Sequence, residues 1–186
     1  MPNWCGNQLY VRGEKEAIQA FLKKNKGYEA SYFIPKEQRS LYHLPDNQTH
    51  LPPEESEFTF NAMVPVPQEV LDEGYSDAGY HWQISNWGTK WDACSVYIEH
   101  LSDKEVCISF STAWSPPTVW FHRIVPHFPN LELELLYEEG GCVFAGRILA
   151  QDGDIVDQKH VNTWEEYVEF VTEQMGYDME LFEEEE

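Results

Sequence analysis

Two strand-like segments joined by a short polar turn constrain this chain most. Residues 93–100 and 105–114 alternate in character, with Leu101-Ser102-Asp103-Lys104 between them. In the second segment Val106, Ile108, Phe110, Thr112 and Trp114 fall on one face, while Cys107, Ser109, Ser111 and Ala113 fall on the other. That is the period-two pattern of a strand with one apolar side. A hairpin of this kind must bury its apolar face against a second layer. The layer is supplied immediately. Ser115-Pro116-Pro117 ends the strand and opens a helix, with proline in the first turn, and Trp120, Phe121, Ile124, Val125 and Phe128 give that helix a broad apolar face. On this reading Trp114 is the last inward residue of its strand.

The flanking segments complete the arrangement. Gln8–Val11 reads as a short first strand ended by Gly13. Residues 14–25 carry Ala17, Ile18, Phe21 and Leu22 on one side, the stripe of an amphipathic helix, with acids leading and lysines closing it as the helix dipole favours. Residues 28–57, with Pro35, Pro45, Pro52 and Pro53, read as a long polar insertion. Phe58–Ala62 alternates like a strand, Gln68–Glu73 reads as a short helix stopped by Gly74, and residues 75–81 as a loop. After the helix at 118–128, Leu131-Glu132-Leu133-Glu134-Leu135 is a half-buried strand. Residues 142–150 form another, which Asp152-Gly153 turns into a hairpin with residues 155–158. Thr163-Trp164-Glu165-Glu166 is a capping box before a last helix with Trp164, Tyr167, Val168, Val171 and Met175 inward. With the insertion at about 28–91 set aside, the order is β-α-β-β-α-β followed by a hairpin and a helix. The expected fold is therefore α+β, a ferredoxin-like split β-α-β with an antiparallel sheet. It forms one domain over residues 1–180, with an acidic tail at 181–186.

Composition narrows the function classes. The net charge of −21 is uneven: residues 1–40 hold seven Lys/Arg against four acids, whereas from Ile124 onward only Arg147 and Lys159 face seventeen acids. Direct nucleic-acid binding is disfavoured, because phosphate backbones are held by clustered Lys and Arg. A basic protein partner suits the same field. No apolar run reaches the length of a membrane helix, and the start lacks the features of a secretory signal, so a cytoplasmic location and no membrane are expected. Cys5, Cys94, Cys107 and Cys142 stand apart, without the paired spacing of a zinc or iron–sulfur site, and read as small buried hydrophobes. Asp152, Asp154 and Asp157 lack the glycine and closing glutamate of a calcium loop. No metal or cofactor is expected.

Several blocks are distinctive together: MPNWC at the start, Phe60 with Val64-Pro65-Val66-Pro67, Asn86-Trp87-Gly88-Thr89-Lys90-Trp91-Asp92, Phe110-Ser111-Thr112-Ala113-Trp114-Ser115-Pro116-Pro117, and Tyr137-Glu138-Glu139-Gly140. They resemble the YubB-like family, phage- and plasmid-borne proteins with a ferredoxin-like domain and no known function. Gly6, the insertion at 28–57 and the acidic tail depart from that pattern. The resemblance implies an origin on a mobile element and supplies no catalytic residues.

The stretch 82–123 holds five of the seven tryptophans, and its first part is the candidate site. His81, Trp82, Asn86, Trp87, Thr89, Lys90 and Trp91 could line a pocket in which indoles stack on a flat, nucleotide-like ligand while Lys90 answers a phosphate. The competing reading is a turn centred on Gly88 that locks the insertion onto the sheet. RNA binding on the open sheet face is disfavoured, because Glu132 and Glu134 stand there without aromatic platforms or basic flanks. No catalytic signature such as H-E-x-x-H, G-x-S-x-G or a P-loop appears. Pro2 would become a reactive secondary amine only if exposed after loss of Met1, and a packed terminus is the simpler expectation. Binding rather than catalysis is the leading expectation, with a host protein or a nucleotide-like molecule as partner.

Overall fold

The structure is a computed structural model, which describes residues 3–178. Pro2 and the acidic tail at 181–186 lie outside the described residues. In chain order the elements are β1 (Trp4–Gly13), α1 (Lys15–Asn25), β2 (Gly27–Tyr28), β3 (Glu55–Ser56), α2 (Phe60–Met63), α3 (Gln68–Glu73), α4 (Tyr80–Trp87), β4 (Cys94–Ser102), β5 (Glu105–Ala113), α5 (Thr118–Ile124), β6 (Leu131–Glu139), β7 (Phe144–Gln151), β8 (Asp154–Val161) and α6 (Trp164–Met175). Six strands form one sheet in the order β4-β5-β1-β6-β7-β8, each pair antiparallel. The strands β4-β5-β1-β6 with α1 and α5 make the split β-α-β core expected from sequence, and the β7–β8 hairpin widens the sheet beyond β6.

Alternation decides what each face does. Leu9 and Val11 of β1, Val106, Ile108 and Phe110 of β5, and Leu131, Leu133 and Leu135 of β6 are all buried in one cluster with Phe21 of α1 and Trp120, Phe121 and Ile124 of α5. On the other face α6 covers only one half of the sheet. Tyr167, Phe170 and Val171 pack on Leu136, Ala145 and Val161. Beside it, charge is buried with its partners: Glu134, in the middle of β6, receives Arg12 at 2.7 Å and also Arg147. Arg12 reaches on to Glu105 at 2.6 Å and Glu132 at 2.9 Å. The glutamates thus face away from the leucines as expected, but Glu134 is buried by its arginines rather than solvated.

Three local expectations are corrected. Phe58–Ala62 is not a strand: Thr59 caps α2 by accepting the Asn61 N–H, and Phe58 and Phe60 both turn into the core. Residues 75–81 are not a loop but a wide helical turn running into α4. Trp114 is not the last core residue of β5. It leaves the strand in the left-handed region at φ 74° and stands 48% exposed. In contrast, α3 spans the six residues expected, closed by Gly74 at φ 94°. Asp152-Gly153, with φ of 54° and 83°, makes the tight β7–β8 turn. Among the described residues no helix is long and apolar enough to cross a membrane.

Candidate functional site

The NWGTKW segment begins at the last turn of α4. Gly88 closes that helix at φ 88°, its N–H donating to the Ile84 carbonyl at 3.1 Å, the left-handed stop that glycine adopts without strain. The closure brings the chain against the Ser-Pro-Pro corner. Ser115 Oγ donates to the Gly88 carbonyl at 2.7 Å, and Thr89 Oγ1 donates to the Ala113 carbonyl at 3.0 Å. Trp87 points inward, with its indole N–H on the Val64 carbonyl at 2.9 Å and its ring edge-on to Phe60 and Trp82. Asp92 then fastens the turn to the start of α2 and to the residue that leads into β4. Its carboxylate accepts the Thr59 hydroxyl at 2.6 Å and the backbone N–H groups of Phe60 at 2.7 Å and Ala93 at 2.8 Å. Burial pushes the Asp92 carboxyl above its ordinary value, with these hydrogen bonds pulling the other way.

The seven residues expected to line one pocket therefore separate. Trp87 and Thr89 are fully buried and cannot touch a ligand. His81 is exposed on α4 beside Tyr80, Trp82 packs on Trp87, and the Asn86 amide is held by the Trp82 carbonyl at 2.8 Å. Lys90 and Trp91 are the two whose side chains come together at the surface, and two residues from elsewhere join them there. The Lys90 ammonium lies 3.6 Å from the centre of the Trp114 ring and 4.3 Å from that of Trp91. Trp4, from the start of β1, stands 5.8 Å from Trp91. Trp4 and Trp114 are brought side by side by the β1–β5 register, which sets Trp4 opposite Ala113, and by the Trp114 N–H donating to the Asn3 carbonyl at 2.9 Å. The result is a surface group in which the Lys90 ammonium lies between Trp91 and Trp114 and Trp4 packs on Trp91. Among the described residues Lys90 forms no ion pair.

Trp91 has a second role. It also walls a cavity of about 290 Å³ between the insertion and the start of β4, shared with Glu29, Tyr32, Tyr75, Gln83 and Asp92. The Tyr75 hydroxyl, pushed up to about 12 by burial, donates to the Lys90 carbonyl at 2.8 Å. Sequence reasoning missed this cavity because its residues come from three separate segments, two of them in the irregular insertion. It missed Trp4 and Trp114 as surface partners because period-two counting carried Trp114 inward one residue past the end of the strand.

Residues 86–182, more than half of the chain, match the family model described as the ferredoxin-like domain in Api92-like protein. The chain belongs to that family. The crystal structure of the protein api92 from Yersinia pseudotuberculosis is similar over 88% of this chain and 99% of that one, with a TM-score of 0.67 at 10% sequence identity. At that identity the likeness concerns the fold alone. No curated protein matches the chain. The family match begins at Asn86, so it takes in the whole NWGTKW turn, β4 through β8 and α6.

Proposed function

We propose that this protein is an accessory protein of a phage or plasmid that acts by binding a host protein, counter-defence being the role that fits such an origin, and that its docking surface is the indole group Trp4, Trp91 and Trp114 with Lys90. The observation that carries this reading is the preorganised group of exposed Trp4 and Trp114 with half-buried Trp91, two of whose indoles hold the Lys90 ammonium. Tryptophan surfaces that are rigid before binding contribute large contact area at low entropic cost, and such residues dominate interface energetics. The mobile-element origin is supported by the sequence blocks shared with the YubB-like family. The net charge of −21 supports a basic partner drawn in by long-range attraction. The test is capture from host lysate at low and high salt with the native chain and with Trp91→Ala and Trp114→Ala. A partner held by the native chain, weakened by salt and lost in both variants is the expected result. Capture that ignores both substitutions overturns the assignment of the surface.

A second reading rests on Lys90 itself, an ammonium with no carboxylate partner among the described residues, set against flat rings. A nucleotide-like ligand would stack on the indoles and place a phosphate at Lys90. Thermal-shift measurements against nucleotides address it, since a ligand held only by the native state raises the midpoint. A flat response, or one retained after Lys90→Ala, removes this reading.

A further inference from the structure

The cavity behind Trp91 has a chemistry different from that of the indole surface outside it. Its walls are aromatic and acidic: Tyr32, Tyr42, Tyr75 and Trp91 contribute rings, Glu29 and Asp92 contribute carboxylates, and among the described residues no Lys, Arg or His lines it. Tyr32 and Tyr75 meet edge to face with centroids 5.4 Å apart, which fixes one aromatic corner. The two carboxylates are not equivalent. Asp92 already has its oxygens taken by Thr59, Phe60 and Ala93, so toward the cavity it offers charge. Glu29 is half-buried, and among the described residues its carboxylate takes part in no hydrogen bond or ion pair. Burial, with Asp92 and Glu54 nearby, pushes its carboxyl above the ordinary range.

A second observation is independent of charge. Gln83 is 4% exposed, its side chain lies beside the Tyr32 hydroxyl, and among the described residues its carbonyl oxygen has no hydrogen-bond partner. Buried polar atoms are nearly always satisfied, and a carbonyl oxygen left over at a cavity wall is a place where a donor is missing. We propose that this cavity is a binding site for a small organic cation of the guanidinium or alkylammonium class. The ligand's N–H groups would meet the Glu29 carboxylate and the Gln83 carbonyl, and its positive face would lie against Trp91 and the tyrosines. The cavity volume, at the lower end of the range for small-molecule sites, suits an ion of a few heavy atoms rather than a nucleotide. The carboxylates also repel a phosphate, so an anionic ligand belongs, if anywhere, on the Lys90 side of Trp91.

The test compares methylguanidinium with methylurea, its near-isosteric neutral counterpart, using the full chain labelled at the tryptophan indole nitrogens. Methylguanidinium is expected to shift the Trp91 indole signal saturably and to bind at least about tenfold more tightly than methylurea. Glu29→Gln is expected to weaken it by a similar factor. Gln83→Leu, which removes the orphaned oxygen, is the second variant should Glu29→Gln disturb the fold, and is expected to weaken the same titration. Equal binding of methylurea, affinity unchanged in both variants, or no response of the Trp91 signal overturns the proposal. Trp4 and Trp114 do not line the cavity, so partner capture on the indole surface and cation titration can fail separately.

Discussion

The Asp92 carboxylate accepts the backbone N–H of Phe60 at 2.7 Å. That bond joins the family-matched part of the chain to the segment that leads into it, at a point where both backbones are buried. The same carboxylate holds the Thr59 hydroxyl and the Ala93 N–H, so one side chain starts α2, ends the NWGTKW turn and launches β4.

Asp92→Ala leaves those buried donors without an acceptor. Each orphaned donor costs about 1–3 kcal/mol, so the variant should lose about 3 kcal/mol or more, a large part of what a domain of this size usually has. Urea melts measure the loss. A change below about 1 kcal/mol would mean that water replaces the carboxylate and that α2 is held by packing alone.

The tryptophans on either side of the Gly88 turn should respond in opposite ways. Trp87 is fully buried and hydrogen-bonded to the Val64 carbonyl, so Trp87→Ala should cost about 3–5 kcal/mol. Trp114 is half exposed and sits at φ 74°, so Trp114→Ala should cost about 1 kcal/mol or less, the scale of an exposed cation–π contact. Trp114→Gly should recover part of that loss, because glycine adopts the left-handed region without strain. Denaturant midpoints of the three variants give the order directly.

Glu134 sets a pH dependence with a definite sign. Burial would raise its carboxyl, but hydrogen bonds from Arg12 and Arg147 outweigh burial and hold it below the ordinary glutamate value. A depressed folded-state value means that the ionised form stabilises the fold: the contribution is complete above the ordinary range and is lost as pH falls through the folded value. Glu134→Gln should cost about 1.5–3 kcal/mol at neutral pH and should flatten the acid limb of the stability curve. Urea midpoints of both proteins across the acid range are the check, and parallel acid limbs would assign acid sensitivity elsewhere.

Gly146 tests the packing of the added hairpin. It pairs with Tyr137 on one side and His160 on the other. A methyl group there would run into the Tyr137 ring and stand 2.6 Å from the Lys159 carbonyl oxygen. Gly146→Ala should cost at least about 1–3 kcal/mol, because one of the obstacles is backbone. At Gly176 a methyl group meets nothing within 4 Å among the described residues, where φ of 72° opposes it, so Gly176→Ala should cost about 1–2 kcal/mol. Thermal melts separate the two causes.

Most of the fold could be read from spacing alone. Leucines alternating at 131, 133 and 135, the stripe Ile18–Phe21 and the Asp152-Gly153 turn each have one local solution, and the structure adopts it. What failed was decided at a distance. Phe58–Ala62 alternates as a strand would, yet Asp92, from across the fold, supplies the acceptor that starts a helix there. Trp114 belongs to an inward series, but the Asn3 carbonyl captures its N–H and the backbone turns over. The candidate site was legible only in Lys90 and Trp91. Trp4 joins them through strand register, and Glu29, Tyr32 and Gln83 face one cavity through the path of an insertion that carries little periodicity of its own.

The position of β1 has a consequence for how this protein is made. Of the strands of this sheet it is synthesised first, yet Leu9 lies opposite Ile108 on one side and Leu135 on the other. Pairing partners so remote in sequence slow folding, because long loops must close before any contact repays them. Until β6 has been synthesised, the centre of the future sheet has at least one bare edge of alternating apolar residues, the surface on which nascent chains misassociate. A chain halted before Leu131 can still form α1, β4, β5 and α5 but cannot cover that edge. Premature termination or slow translation in this region should therefore yield aggregate rather than a smaller folded protein.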